Sequence, residues 1–261
     1  MRSPTTRPEP TPWRLPDSGV VRLHRDPAAL PELGDGPGPN RFDDPRPRSS
    51  QDRYVMRYAA TTLRACLLES LDWLRQEDEQ ALEREAAVVD DDEQPAPAPE
   101  VEPWQALADY LSGRRVATIT GPDLRLVSIG DAALQAALDQ EPGVQALLDS
   151  QEARTALLPA GAASARRPHL DGAAIRLSSE LGRDLTRAAS LALRDREERP
   201  DGIHYLSRHD DSEDCWALYD HAPVTVEDVR AFTADDPEDR AAVQSVAALW
   251  DLALPPAWEI P

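Results

Sequence analysis

Residues 20–24 have the alternating apolar and polar character of a strand, and the mostly apolar 54–59 suits a second strand. The stretch after the second changes to a period of 3.6. There Leu63, Cys66, Leu67, Leu71 and Leu74 fall on one side of a helical wheel, and Thr61 or Thr62 is placed to cap the helix start. Glu69 falls at the border of this apolar face, beside Cys66 and Trp73, so its carboxylate is expected to be half-buried. Further on, a short helix is predicted over 104–111, and strands over 115–120 and 124–128 around a Gly121-Pro122-Asp123 turn. Short helices over 131–139 and 142–150, a loop over 159–168 and a longer helix over 178–196 follow. Strands over 202–206 and 214–219 and an acidic helix over 236–251 complete the pattern. Strands mixed irregularly with helices, and no internal repeat, predict an α+β class.

Composition changes this picture mainly at the edges. Of the 25 prolines, 13 cluster at residues 4–16, 37–47 and 95–103, the mark of linkers and loops. The organisation expected is a flexible tail over 1–18, a folded domain over 19–230 with an acidic, proline-rich insertion at 77–103, and an acidic helical extension over 231–261. Residues 77–102 hold eleven acids against Arg84 alone, half of the formal charge of −20. A solvated segment is the plain reading of that run, and a docking arm for a basic partner the sharper one.

The charge also excludes functions. A chain this acidic has no face with which to neutralise phosphates, so direct nucleic-acid binding is not expected. All 28 basic residues are arginine, which removes a P-loop lysine, a lysine Schiff base and a pyridoxal attachment site. The group His204, His209, Asp210, Asp211 and Cys215 matches no zinc spacing, so no metal is expected. There is no G-x-S-x-G elbow for a serine hydrolase. Two cysteines, no membrane-length apolar run and no apolar signal core at the N-terminus lead to the expectation of a reducing, cytoplasmic setting.

Two arginines, a tyrosine between apolar neighbours and a glutamate in an apolar helix, in the order Arg22, Arg41, Tyr58, Glu69, suggest a site for an anionic nucleotide. The surrounding motifs are Arg22-Leu23-His24-Arg25, Arg41-Phe42-Asp43, Tyr58-Ala59-Ala60 and Glu69, then Leu124-Arg125-Leu126-Val127 with Ser128 and Gly130-Asp131. Asp201-Gly202-Ile203-His204-Tyr205-Leu206-Ser207-Arg208, Cys215 and Ala217-Leu218-Tyr219 close the series. In that order, over roughly residues 20 to 230, the chain resembles the RES family. It departs from the family pattern at Phe42-Asp43, where many members carry Trp-Asn, and at Cys215, where asparagine is frequent. The resemblance implies a mixed-sheet fold related to ADP-ribosyltransferases, a toxin of a toxin–antitoxin pair, NAD as substrate with no further cofactor, and an Xre-type antitoxin as partner.

The chemistry required can be argued from the bond. Breaking the nicotinamide–ribose bond builds positive charge on the sugar, and a fixed carboxylate beside the ring stabilises it. Glu69 suits that role, Arg22 and Arg41 suit the pyrophosphate, and Tyr58 suits the nicotinamide ring, with its hydroxyl available as a donor. The resemblance adds Phe42 and Ser207 to NAD binding, and Ser178 at a helix start, where Ser179 competes with it. Taken alone, the residues leave other readings open. Glu69 could pair with Arg64 or Arg75, the two arginines could be surface groups, Tyr58 could be core, and Ser207-Arg208 could only brace a strand end. Also open are water or phosphate as acceptor, transfer of ADP-ribose to a macromolecule, an effector using the same chemistry, and a non-catalytic interaction module.

Overall fold

The computed structural model describes residues 13–25, 40–47, 50, 52–74, 102–159 and 166–259. The acidic insertion lies almost wholly outside the described residues, and with it both readings of that segment.

The described strands are β1 (Val20–His24), β2 (Met56–Ala60), β3 (Arg115–Thr120), β4 (Leu126–Ser128), β5 (Gly202–Leu206), β6 (Asp214–Tyr219) and β7 (Thr225–Ala231). They form one sheet in the order β4-β5-β6-β2-β1-β3-β7, with β4 and β5 parallel and the other neighbours antiparallel. The helices are α1 (Leu63–Ser70), α2 (Gln105–Leu111), α3 (Ala132–Leu138), α4 (Pro142–Leu148), α5 (Gln151–Leu157), α6 (Gly172–Arg176), α7 (Glu180–Arg194) and α8 (Pro237–Trp250). The class is α+β, as expected.

Strand parity sorts the core. Met56, Tyr58 and Ala60 of β2, Ile203 and Tyr205 of β5, and Cys215, Ala217 and Tyr219 of β6 share one face, under α3, α4 and α7. On the same side of the sheet, Val21 and Leu23 of β1 join a second cluster with α1, α2 and α8. The residues between them in sequence, Val20, Ala59, Trp216 and Leu218, pack on the opposite face with Ile119, Leu124, Leu126 and Ala222.

Local chemistry accounts for the element bounds. Of the two candidate caps for α1, Thr62 is the one used, its hydroxyl accepting from the Ala65 N–H. Gly19 leads into β1 at φ +77, and a Cβ there would stand 2.8 Å from the Ile119 carbonyl oxygen, so only glycine fits without a shift. Among the strands and α-helices, three were not anticipated: β7, α5 and α6. Within the segment expected as a tail, residues 13–18 lie against the sheet. The Trp13 N–H donates to the Leu126 carbonyl at 3.1 Å, and its ring stacks 3.6 Å from that of His204. Helix α8 packs on α1, sharing the buried cluster of Leu67, Leu71, Val243 and Val246.

Candidate functional site

Strands β1 and β2 join at a single residue pair, Val21 with Ala60, and then part. In the fork, the Tyr58 carbonyl accepts from Arg22 Nη1 at 3.1 Å, and the Cys66 thiol donates to the Val21 carbonyl at 3.2 Å. Burial holds the Arg22 pKa below its ordinary value and pushes the Cys66 thiol up to about 12, so that sulfur stays protonated and unreactive.

A cleft of about 460 Å³ opens over this fork. Its walls come from the strands (Arg22, Leu23, Tyr58, Tyr205, Cys215), from α1 and the turn after it (Cys66, Glu69, Ser70, Asp72, Trp73), and from α2 and its exit (Tyr110, Arg114). Asn40, Arg41, Arg183 and Arg208 close it. Five arginines thus face two acids in a chain whose net charge is −20.

Glu69 Oε1 accepts from the Ser207 hydroxyl at 2.7 Å and from the Arg208 N–H at 3.3 Å. Among the described residues its Oε2 has no hydrogen-bond partner. The alternative pairing with Arg64 is not formed, because Arg64 is taken by Asp210 at 2.7 Å and Glu213 at 3.0 Å; Arg75 lies outside the described residues. The Arg208 guanidinium reaches Asp72 at 2.6 Å, and burial lowers its pKa. Arg41 is 6% exposed, donates to the Ile175 carbonyl at 2.7 Å, and lies over the rings of Phe42 and Tyr205 at 5.4 and 5.2 Å. Nη1 of Arg41 and Nη1 of Arg208 are buried with no hydrogen-bond partner among the described residues. Neither Arg22 nor Arg41 has a carboxylate partner among them. Buried charged donors left open in this way are stabilised by an incoming anion.

The structure therefore brings Arg22, Arg41, Tyr58 and Glu69 to one cleft and places the other expected residues elsewhere. Ser207 is fully buried beneath the wall and acts by holding Glu69. Phe42 is also fully buried and does not line the cleft. Its ring packs against Tyr205, because an aromatic side chain at that position fills the core under β2 and β5. Ser178 is exposed ahead of α7, where Ser179 is the N-cap, and neither lines the cleft. The Tyr58 hydroxyl is not the free donor expected. It donates to Asp43 Oδ1 at 2.9 Å and accepts from the Phe42 N–H at 3.0 Å, and burial raises its pKa further. Its ring alone is offered to the cleft.

Asp72, Trp73, Tyr110, Arg114 and Tyr205 were not foreseen as site residues, while Arg208, left open between a site role and bracing a strand end, lines the cleft. For Asp72 a signal existed, since it stands three residues after Glu69 in an otherwise apolar helical run.

Among the described residues no helix is long and apolar enough to cross a membrane, and no cluster of His, Cys, Asp or Glu could hold a metal ion.

The family model of the RES domain matches residues 11–251. The chain belongs to the RES domain family. The matched span includes every cleft residue, and also β7 and α8, which lie at or beyond the end of the resemblance read from motifs. This RES chain is also similar, at 12% identity and a TM-score of 0.34 with 89% of each chain covered, to a chain in the crystal structure of the M. tuberculosis MbcT–MbcA toxin–antitoxin complex. No curated protein matches it.

Proposed function

We propose that this RES domain is a toxin-type enzyme that consumes NAD by breaking the nicotinamide–ribose bond. The observation that carries the reading is the pair of carbonyl-held arginines, Arg22 and Arg41, without carboxylate partners among the described residues of a strongly acidic chain, in the same cleft as a braced Glu69. The arginines match a pyrophosphate. The carboxylate matches the cation that forms when the C1′–N bond breaks and its electron pair returns to the nicotinamide ring. Ser207 and the Arg208 N–H fix Oε1, which orients Oε2. The rings of Tyr58 and Tyr205 give nicotinamide an apolar surface. Water or phosphate then adds to C1′ on the ADP-ribosyl side. An Xre-type antitoxin is the partner that this reading assigns to the chain, NAD its substrate, and the cytoplasm its setting.

Incubating the purified chain with NAD, with and without phosphate, and separating the products by chromatography tests this. Free nicotinamide is expected, with ADP-ribose or its 1-phosphate. Intact NAD in the presence of folded protein rejects the reading, and ADP-ribose found on a macromolecule turns it into transfer.

A further inference from the structure

Arg41 enters the cleft from a four-residue turn. The Asn40 carbonyl accepts from the Asp43 N–H at 3.4 Å, and Arg41 and Phe42 are the two central residues. The turn is docked through its carbonyls, because Arg187 and Ser190 of α7 donate to those of Asn40 and Phe42 at 3.2 and 2.9 Å. Its N–H groups are held from elsewhere. Asp43 Oδ2 accepts from the Asn40 N–H and from Asn40 Nδ2, both at 2.9 Å, and Oδ1 accepts from the Tyr58 hydroxyl, also at 2.9 Å. That hydroxyl accepts in turn from the Phe42 N–H at 3.0 Å. The residues on either side of Arg41 are thus both tied to the pair Asp43 and Tyr58.

Asp43 is half-buried and does not line the cleft, whereas Asn40, Arg41 and Tyr58 all do. Three donors converge on it. Only an ionised carboxylate, with acceptors on both oxygens, takes all three; an amide there would keep one oxygen and turn an NH2 group toward the Asn40 donors. One carboxylate therefore stands behind three cleft residues without facing the cleft.

We infer that Asp43 is a positioning residue, which through Asn40 and the Tyr58 hydroxyl sets the direction in which Arg41 and the Tyr58 ring face the substrate. The Tyr58 hydroxyl accordingly serves the turn and not the reacting bond. What these groups are aimed at rests on the proposed function.

Two measurements on the full chain test this, one of them independent of NAD. In hydrogen exchange read by NMR, Asp43→Ala is expected to speed the Asn40 and Phe42 amides about tenfold, the scale of one lost bond to a charged group, with the amides of β5 and β6 unchanged. Asp43→Asn, which keeps an oxygen for Tyr58, should speed that of Asn40 alone. In NAD cleavage, Asp43→Ala should lower kcat/KM about a hundredfold, the cost of misplacing groups by about 1 Å, and Asp43→Asn should recover part of the loss. Tyr58→Phe should cost about as much as Asp43→Ala, and the double variant no more than either, because the two act as one unit. Wild-type turnover per folded molecule in Asp43→Ala, losses that multiply in the double variant, or unchanged exchange at both amides overturns the inference. If Asp43→Ala does not fold, Asp43→Asn decides by the same amides: faster exchange at Asn40 alone supports the inference, and no change at Asn40 overturns it. A wild-type chain that leaves NAD intact while the amides respond keeps Asp43 as the brace of the turn and rejects the NAD reading instead.

Discussion

Arg230 at the β7–α8 edge and Arg41 in the cleft are both held in place by the fold, but by different partners. Arg230 meets Asp239 through two bonds of 2.7 Å, and the fully buried Asp239 also accepts from the Thr233 N–H at 2.9 Å. Both terminal nitrogens of Arg230 and the Thr233 N–H have acceptors supplied by the chain, and the group ties the end of β7 to the first turn of α8. Arg41 has one carbonyl, two aromatic rings and an open buried nitrogen. The first arrangement is complete as it stands, and what it yields is stability. The second is incomplete, and what it yields is capacity for an anion. Arginine content alone says nothing of this difference; the partners do.

Glu69 gives the sharpest way to break the comparison, because it is the carboxylate with which Arg22 and Arg41 do not pair. Glu69→Gln keeps an oxygen for Ser207 and the Arg208 N–H but removes the charge. Nicotinamide release is expected to fall at least about a hundredfold, the scale of a lost electrostatic contact to a transition state, with the melting temperature nearly unchanged. A variant that cleaves at the normal rate, or one that melts early, would make Glu69 a structural group like Asp239.

At the edge the pattern should reverse. Asp239→Asn strips Arg230 and Thr233 of a shared charged partner, an expected loss of about 2 kcal/mol, below the range for a fully buried pair because Arg230 is partly exposed. In a chain of this size that lowers the melting temperature by about 4–8 °C, while NAD cleavage per folded molecule is retained. Arg41→Met should hold or raise the melting temperature, since it removes a buried unsatisfied charge, and weaken ADP-ribose binding. Thermal melts and binding isotherms on both variants decide it. Equal effects on stability would erase the distinction between closed and open arginines.

The same distinction explains what was legible in the sequence. Strands β1, β5 and β6 could be read to their ends, because each buries one face or both, and the chain writes that burial as pattern. Strand β7 could not. Among the described residues its Thr-Val-Glu-Asp-Val-Arg-Ala pairs only with β3, at the margin of the sheet, and its side chains are largely exposed, so no apolar alternation was required. Helices α5 and α6, of 7 and 5 residues, carry too little buried surface to leave a period. In the site, Arg22, Arg41, Tyr58 and Glu69 fall within 48 residues and could be seen as a group. Tyr205, Arg208, Tyr110 and Arg114 reach the cleft only through sheet order, which sets β5 two strands from β2 and puts the exit of α2 beside β1. Phe42 misleads because an aromatic side chain reads the same whether it packs in a core or against a ligand.

The smallest expected effect concerns a closed group on the far face of the sheet. His204 is buried between Trp13 and Trp216, with Nε2 at 2.7 Å from Asp214 Oδ1 and Nδ1 at 3.2 Å from the Ser128 hydroxyl. That geometry suits a neutral ring that donates from Nε2 and accepts at Nδ1. Burial lowers its pKa from 6.5, with Asp214 opposing, and burial also lowers that of His221. A histidine whose folded pKa lies below its unfolded value takes up its proton more readily when unfolded. Its contribution is therefore complete above about pH 6.5 and is lost as the pH falls from there toward the depressed folded value. The melting temperature should drop between pH 7.5 and 5.5, with His204 accounting for part of the drop. His204→Gln should flatten that part of the slope and leave the part due to His221. If the slope of the variant equals that of the wild type, protonation of His204 is not what loosens this face, and the Trp13 stack is held by the bond to Leu126 rather than by the neutral ring beneath it.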